Sequence, residues 1–550
     1  MSTNPRHPRV FNGLLVALAL LPAGAAAAET AVEPLRLAVE RLRASETRAG
    51  GERIAARDLI AEFYERRGFA PAWVDPARIR ELAALVEASR DHGLDPADYH
   101  ATAVRAFAVA AAADPAAREL LLTDALVRLA YHLHFGRVNP KELDPDWNFG
   151  RSLRGLDPVQ ALERALSAPA LAPEVLAYAP RLDYYWSLMD ALARYRELAA
   201  RGGWPAVPAG PTLKPGMSDP RVTALRSRLV ATGDLAGVEA ADPALFDAGL
   251  EAAVRRFQER HGLEADGAVG RKTLAELNVP VAARIDQIRV NLERARWVAQ
   301  DLTGDFLMVD IAGYRAALYL GGLPVWTSRV VVGRPYRETP VFRAPMQYLV
   351  INPTWTVPPT ILKQDVLPKL AKDPAYLARE NMTVVDNQGR PVDAGAIDWK
   401  RYARGGFPYQ IVQQPGDRNA LGRIKFMFPN SHFVYLHDTP AKALFDRAER
   451  AFSSGCIRVE APVDLAVLLL DDPERWGPDA VRAAIAGGQT RTVPVRRKLP
   501  VLLLYWTAEV RDGIVYFRPD LYGRDRAVLK ALQGPVRLTP PVPAAGTATR

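Results

Sequence analysis

Apolar residues recur at helical spacing through the first two hundred positions. Ala56, Leu59, Ile60 and Phe63 fall at i, i+3, i+4 and i+7, with Arg57, Asp58, Glu62 and Arg66 between and beyond them. That spacing puts one apolar stripe on a helix. Phe69 and Trp73 follow as further apolar anchors, and residues 29–205 as a whole predict a helical domain. Within it, His134-Phe135-Gly136-Arg137-Val138-Asn139-Pro140 reads as a loop ending a helix, because Gly and Pro punctuate it. His134 and Arg137 are expected to satisfy hydrogen bonds within the fold, as buried polar groups do.

A Pro- and Gly-rich stretch, Trp204-Pro205 to Pro215-Gly216, marks a linker. A compact unit follows at about 212–279. Val222, Leu225 and Leu229 share one helical face, and Ala253, Val254, Phe257 and Gln258 belong to a second helix. His261-Gly262-Leu263 stops that helix, and Asp266-Gly267 turns the chain into a third helix through Thr273, Leu274 and Leu277. Three short helices make a small core, which suits a binding module better than an enzyme.

From about 305 the period changes to that of strands. Phe306 to Ile311, Ser328 to Gly333 and Gln347 to Asn352 are β-rich runs separated by turn residues. Residues 355–405 break the pattern and are expected to form an insertion, a lid over a site, with a helix from Thr360 to Ala371 and Pro368 as its kink. Strands are expected again at Tyr409–Val412, Ile424–Phe428 and Phe433–Leu436. A helical stretch is expected at Lys442–Phe452, a buried helix at 462–470 and two more strands within 499–518. The end, 534–550, is rich in Pro, Ala and Thr and is expected to be disordered. The fold class is therefore multidomain α+β: a helical N-terminal scaffold, a three-helix module, and a mostly β domain at 300–520 carrying an insertion.

Composition is that of a globular protein, with 49% hydrophobic and 24% charged residues among 550. The N-terminus reads as a secretory signal over residues 1–28. Arg6, His7 and Arg9 are followed by a short apolar run, Gly13 to Leu21, and then by the small residues Ala23 to Ala28. An exported, periplasmic protein is the expectation. Its net charge of +9 suits anionic envelope polymers, and no basic, aromatic-interleaved motif points to nucleic acid. No metal or other cofactor is expected: His132 and His134 are two apart and His432 and His437 five apart, neither being the spacing of a helical ligand pair.

Export favours disulfides, yet the chain has one cysteine, Cys456, within Ser453-Ser454-Gly455-Cys456-Ile457-Arg458. A lone cysteine is often a small buried hydrophobe. Here His437 lies upstream in Tyr435-Leu436-His437-Asp438-Thr439-Pro440, at a strand end. An imidazole that takes the thiol proton makes a nucleophile, and glycine before the cysteine lets the backbone approach a substrate closely.

These residues resemble the catalytic domain of L,D-transpeptidases, whose motif is a His, a spacer, and then Ser/Thr-(His)-Gly-Cys-hydrophobic-Asn/Arg. His437, Ser453, Gly455, Cys456, Ile457 and Arg458 match it. Ser454 stands where many members carry a second His, so any role of that His is absent. Tyr435 to Pro440, Ala451 to Glu460, and Asn419-Ala420-Leu421-Gly422 through Pro429-Asn430 resemble most closely the large Gram-negative subgroup with scaffold, peptidoglycan-binding module and lid. The unit at 212–279 resembles the peptidoglycan-binding domain type 1 family, through Val222, Leu225, Leu229, Ala253, Val254, Phe257, Gln258, Gly262, Asp266, Gly267, Gly270, Thr273 and Leu277. A spacer that touches no glycan has the same pattern.

The resemblance implies a reaction and roles. Cys456 would attack the third-residue carbonyl of a donor tetrapeptide stem, and an acceptor stem's amine would resolve the thioester, with no cofactor. Cys456 is then nucleophile and His437 base and acid. Gly455, Ser454, Tyr435 and Asp438 are candidates for oxyanion or site support. Arg458, Trp355 and Tyr409 are candidates for substrate binding. Each supporting residue also has a structural reading: an ion pair for Arg458, a turn cap for Asp438, and core packing for Tyr435, Trp355 and Tyr409. Partners would be donor and acceptor stems, and other wall-synthesis proteins. The alternatives are a cell-wall cysteine peptidase or amidase, and a non-catalytic peptidoglycan-binding scaffold.

Overall fold

The computed structural model describes residues 23–539 apart from 45, 111, 238, 239 and 404. The expected leader therefore lies mostly outside the described residues, as does the tail from 540 onward. Among the described residues, no helix is long and apolar enough to cross a membrane.

The chain falls into two compact units. The first comprises described residues up to Ala88, Asp95–Ala130 and Gly155–Ala177. It is built on helices Arg57–Arg66, Pro76–Ala88 and Ala101–Val109, with the first part of Pro115–Phe135. Ile60, Phe63, Tyr64, Trp73 and Leu82 are buried in it. Glu119 is buried among them because it is fully answered: it accepts from the Tyr64 hydroxyl at 3.0 Å, the Ala72 amide at 2.7 Å and the Trp73 amide at 3.2 Å.

The second unit takes in more of the N-terminal helices than their periodicity suggests. Helix Asp183–Ala200 packs on helix Val281–Val298. Arg296, wholly buried, pairs with Glu293 at 2.6 Å and donates to the Tyr185 hydroxyl at 3.0 Å. The helical region expected as one domain at 29–205 thus divides between the units. A stripe on a helix says that it will be covered, not by what. Arg137 donates to the carbonyls of Ala531 and Gly534, so its role is within the fold.

Three helices, Arg221–Ala231, Ala248–Arg260 and Arg271–Leu277, form the small module. Val222, Leu225, Leu229, Phe246, Phe257 and Leu277 close its core. Its motif residues hold it together. Gln258 Nε2 donates to Asp266 at 2.8 Å and to the Ala268 carbonyl at 2.9 Å, while Gln258 Oε1 accepts from the Gly267 amide at 2.9 Å. Gly267 has φ +76°, which suits glycine.

The β domain is one curled sheet of eleven strands. Its order is Arg491–Pro494, Tyr348–Ile351, Ile424–Met427, Leu436–His437, Ile457–Val459, Leu323–Gly333, Arg315–Leu320, Phe306–Asp310, Pro500–Leu504 and Phe342–Pro345. Ala451–Ser453 pairs in parallel beside Leu323–Gly333. Two of the pairings in the main order are parallel: Leu436–His437 with Ile457–Val459, and Phe306–Asp310 with Pro500–Leu504. Helix Pro462–Leu470 buries Leu465, Ala466 and Leu469.

Several local expectations change. The helix expected at Lys442–Phe452 is a short 3-10 turn, Lys442–Asp446, because Ala451–Ser453 is drawn into the sheet. Pairing with a buried strand outweighs a weak local helix preference. The strand expected from Phe433 begins only at Leu436. Asn430 holds a turn before it, accepting from the Val434 amide at 3.2 Å and donating to the Val434 carbonyl at 2.7 Å. Of residues 499–518, Pro500–Leu504 joins the main sheet, and Ala508–Arg511 with Ile514–Phe517 forms a separate hairpin, three strands rather than two.

The insertion has a core and a sheet of its own. Trp355–Thr356, Gln410–Gln413 and Met382–Val385 form its three strands, with Gln410–Gln413 in the middle. Val366, Leu367, Leu370, Trp399 and Ile411 are buried together. It therefore runs through 413, beyond the 405 expected, and Tyr409–Val412 serves the insertion rather than the main sheet. Its helix, Pro359 to Leu370, contains a π turn at Leu362–Val366 just before Pro368. Pro368 has no N–H to give the carbonyl four residues back, so the chain widens there instead of ending.

Candidate active site

The site is set by strand register. Leu436 pairs with Ile457 and His437 with Arg458 in parallel, and the Ile457 amide donates to the Tyr435 carbonyl at 3.1 Å. Continuing that register one step back brings Tyr435 beside Cys456. Side chains two apart on a strand share a face, so Tyr435, His437, Cys456 and Arg458 form one patch. Lys425, paired with His437 from the neighbouring strand, joins it.

The turn before Cys456 is tightly bonded. Gly455 has φ +112°, a backbone open chiefly to glycine, and a Cβ there would lie 3.2 Å from the Glu338 carbonyl oxygen. The Gly455 amide donates to Ser453 Oγ at 3.1 Å, and Ser453 Oγ donates to the Cys456 carbonyl at 2.6 Å. Thr339 Oγ1 donates to the Gly455 carbonyl at 2.8 Å and accepts from the Gly333 amide at 2.9 Å. The Gly455 amide is therefore occupied, whereas the Cys456 amide makes no hydrogen bond to another described residue. Of the two, the Cys456 amide is the one open to an oxyanion.

Cys456 is half-buried, its Sγ 3.9 Å from the Phe433 carbonyl. Burial pushes its thiol up, against the pull of the Tyr435 amide and hydroxyl, Lys425 and Arg458. The Lys425 ammonium lies 3.9 Å from the centre of the Tyr435 ring, and burial lowers its own pKa. The Tyr435 hydroxyl faces both the thiol and Trp355, and burial holds it protonated. Tyr435 therefore points into the site and not into the core.

His437 is buried, and its Nδ1 lies 2.5 Å from the Asp438 carbonyl. A carbonyl only accepts, so Nδ1 carries the proton and Nε2 is the basic nitrogen. Its ring centre is 5.8 Å from that of Tyr435. Burial, reinforced by Arg458 and Lys425, pushes its pKa down to about 3. No hydrogen bond joins His437 to Cys456 among the described residues. The resting pair is thus a neutral thiol and a neutral imidazole.

The supporting residues divide. Asp438 orients His437 through its backbone carbonyl, while its carboxylate caps the Arg423 amide at 2.8 Å and pairs with Lys442 at 2.6 Å. Ser454 Oγ accepts from Arg337 at 2.7 Å, and the same guanidinium reaches Asp365 at 2.6 Å and Gln364 at 2.5 Å in the insertion. Ser454 thus tethers the Cys456 turn to the insertion. Arg458 is largely buried, and its Nε has no partner. Trp355 reaches the site from the first strand of the insertion. Tyr409 does not: it packs in the insertion against Phe407, ring centres 5.6 Å apart.

Lys425, Thr339, Arg337 and Ser453 Oγ are site features that sequence reasoning did not single out for a role. Lys425 carried one signal, a lone charge in the apolar strand Ile424–Met427. Thr339 and Arg337 carried none, because their partners in the Cys456 turn are more than a hundred residues away.

Comparison with known proteins bears on this arrangement. Residues 304–476 match the family described as "L,D-transpeptidase catalytic domain", residues 218–277 "Putative peptidoglycan binding domain" and residues 58–192 "Scaffold domain". A Haemophilus influenzae protein named "Putative L,D-transpeptidase" is 39% identical over 242 residues, 44% of this chain and 48% of that protein. The match spans about half the length of that curated relative. Solved structures show more distant likeness. An L,D-transpeptidase from Stackebrandtia nassauensis aligns at 14% identity and TM-score 0.20, covering 56% of this chain and 98% of that one. One from Mycobacterium smegmatis aligns at 14% and 0.18, covering 36% and 58%. By the domain matches, the chain carries an L,D-transpeptidase catalytic domain together with a scaffold domain and a peptidoglycan-binding domain.

Proposed function

We propose that this protein is a peptidoglycan L,D-transpeptidase that links third residues of stem peptides through a thioester on Cys456. The observation that carries the reading is the shared face of Cys456, His437, Tyr435 and Arg458 on adjacent parallel strands. The Cys456 proton passes to His437 Nε2 as sulfur attacks the third-residue carbonyl carbon of a tetrapeptide stem. The oxyanion takes the Cys456 amide. The bond to the terminal D-alanine breaks, and its nitrogen leaves with the proton from His437. The acceptor amine then attacks the thioester and gives a proton to His437, and the C–S bond breaks. The returning proton restores the thiol.

Substrate charge supplies what the resting site lacks. Arg458 lowers the basicity of His437 and has donor capacity to spare. A stem carboxylate on that guanidinium neutralises it and makes His437 a better base when donor is present. The small module then serves to hold the enzyme on its polymer. Such a substrate requires export, so we assign the mature chain to the periplasm, with cell fractionation as the check.

Incubation with tetrapeptide-bearing muropeptides, read by mass spectrometry, tests the function. A cross-linked dimer lacking one D-alanine is expected, and it should vanish in Cys456→Ala. Free tripeptide alone would replace this reading with a peptidase, and full activity of Cys456→Ala would end it.

A further inference from the structure

Strand register sets Lys425 in a row that runs across the site. Lys425 pairs with His437 on one side and with Val350 on the other. The row continues past His437 to Arg458 and Val331, and past Val350 to Thr492. Residues paired across a sheet share a face, so His437 stands between two cations. No position in this row is a carboxylate.

Among the described residues the Lys425 ammonium has no hydrogen bond and no ion pair; it rests 3.9 Å from the centre of the Tyr435 ring. A ring face attracts a cation without cancelling its charge. Burial, and next the charge of Cys456, hold Tyr435 protonated, so no phenolate neutralises the ammonium. Asp438, the carboxylate next along the His437 strand, is taken by the Arg423 amide at 2.8 Å and by Lys442 at 2.6 Å. From the insertion, Trp355 brings an uncharged indole to the Tyr435 hydroxyl. The charge of Lys425 is therefore unanswered at rest, and its partial burial limits screening.

The anion that answers it forms at Cys456. When the thiol proton leaves, sulfur keeps the electron pair and a negative charge. The Tyr435 hydroxyl faces that sulfur, and Lys425 lies over the same ring. The two cations of the row divide their effect. Lys425 weighs more than Arg458 on the Cys456 thiol, and Arg458 weighs more than Lys425 on the His437 imidazole. We propose that Lys425 is the cation that balances the Cys456 thiolate, held for that task on the face of Tyr435 and left in place when a donor carboxylate occupies Arg458. Lys425 acts through Cys456, and so is a positioning residue.

The proposal rests on Cys456 being the nucleophile, but alkylation tests it without turnover, so its failure is distinct from failure of the transpeptidase reading. Cys456 is the chain's one cysteine, so alkylation of the full protein reports a single site. Loss of the ammonium should raise the thiol pKa by about one unit, which is about tenfold less thiolate near neutral pH. The more basic sulfur is about threefold more nucleophilic, so near pH 8 Lys425→Met should react with iodoacetamide about threefold more slowly than wild type. Iodoacetate carries a negative charge, and its rate relative to iodoacetamide should fall by about twofold or more. Lys425→Arg keeps the charge and should stay within about twofold of wild type on both counts. Urea midpoints should stay close to that of wild type, because the ammonium has no hydrogen-bond partner to orphan. Lys425→Gln, neutral and polar, repeats the test should the methionine variant fail to fold. Wild-type alkylation by both reagents in the neutral variant overturns the proposal. A folded Lys425→Arg as slow as the neutral variant overturns it too, since shape and not charge would then matter. An unchanged alkylation rate with a raised KM for the tetrapeptide donor would give Lys425 to a substrate carboxylate, and overturns it equally.

Discussion

Replacing Thr339 by valine keeps the shape of a fully buried side chain and removes one hydroxyl. That hydroxyl accepts from the Gly333 amide at 2.9 Å and donates to the Gly455 carbonyl at 2.8 Å. Valine leaves both backbone groups buried and unanswered. At about 1–3 kcal/mol for each orphaned group, the expected cost is about 2–4 kcal/mol after partial relaxation. The cost falls on the turn that carries Cys456, so it should appear locally first. Hydrogen exchange followed by mass spectrometry, on peptides spanning 330–340, reports the Gly333 amide. A loss of about 2 kcal/mol in local opening corresponds to roughly 30-fold faster exchange. Transpeptidation should fall with it, by about tenfold or more in kcat/KM, since tenfold is about 1.4 kcal/mol. Thr339→Ser keeps the hydroxyl and should restore most of both. Exchange and kcat/KM of the valine variant within about twofold of wild type would refute the claim that this hydroxyl holds the turn.

The other predictions concern charge and backbone. Burial raises the Cys456 pKa and brings that of His437 down to about 3, so iodoacetamide alkylation should keep rising with pH through 9, the ordinary thiol value; a plateau below about pH 7 would mean a preformed thiolate–imidazolium pair instead. The depressed His437 pKa contributes stability that is full above 6.5 and lost as pH falls towards 3, because the unfolded chain binds the proton first; His437→Gln should remove up to about 3–5 kcal/mol of acid sensitivity across that window, read by urea titration. Arg458→Met should change stability by no more than about 1 kcal/mol, since Arg458 has no hydrogen-bond partner at Nε, yet raise KM for the tetrapeptide donor about tenfold; an unchanged KM would place the carboxylate elsewhere. Gly455→Ala forces a side chain into φ +112° and against the Glu338 carbonyl, about 1–3 kcal/mol of strain, and a variant with wild-type kcat would show that the turn is not needed as built.

What could be read in the chain beforehand follows a physical line. Periodicity and turn chemistry marked the three-helix module because its helices are short, capped and cover one another locally. The Cys456 turn and the His437 strand end were legible for the same reason, since glycine and a preceding apolar run are local signals. The partition of the N-terminal helices was not, because Asp183–Ala200 is covered by a helix a hundred residues further on. Phe433 illustrates the limit from the other side. Its apolar, β-prone neighbours suggest a strand, yet its φ is +56° and it is 85% exposed, because Asn430 bonds the chain into a turn just before the site. Tyr409 immediately precedes the strand Gln410–Gln413, and alternation does not say to which of two sheets a strand belongs.

The placement of Pro500–Leu504 has a consequence for how the protein is divided and made. The catalytic match ends at 476, and every residue proposed for the chemistry precedes that point. Pro500–Leu504 nevertheless lies inside the sheet, bonded on one side to Phe306–Asp310 and on the other to Phe342–Pro345. A fragment cut at 476 would keep Cys456 and His437 and lose an interior strand, leaving two open edges of the kind that aggregate. For the same reason a chain emerging from the ribosome carries its complete catalytic motif for some time before the sheet that aligns it can close. Alignment of Cys456 with His437 therefore waits on Pro500–Leu504, which follows both in the chain.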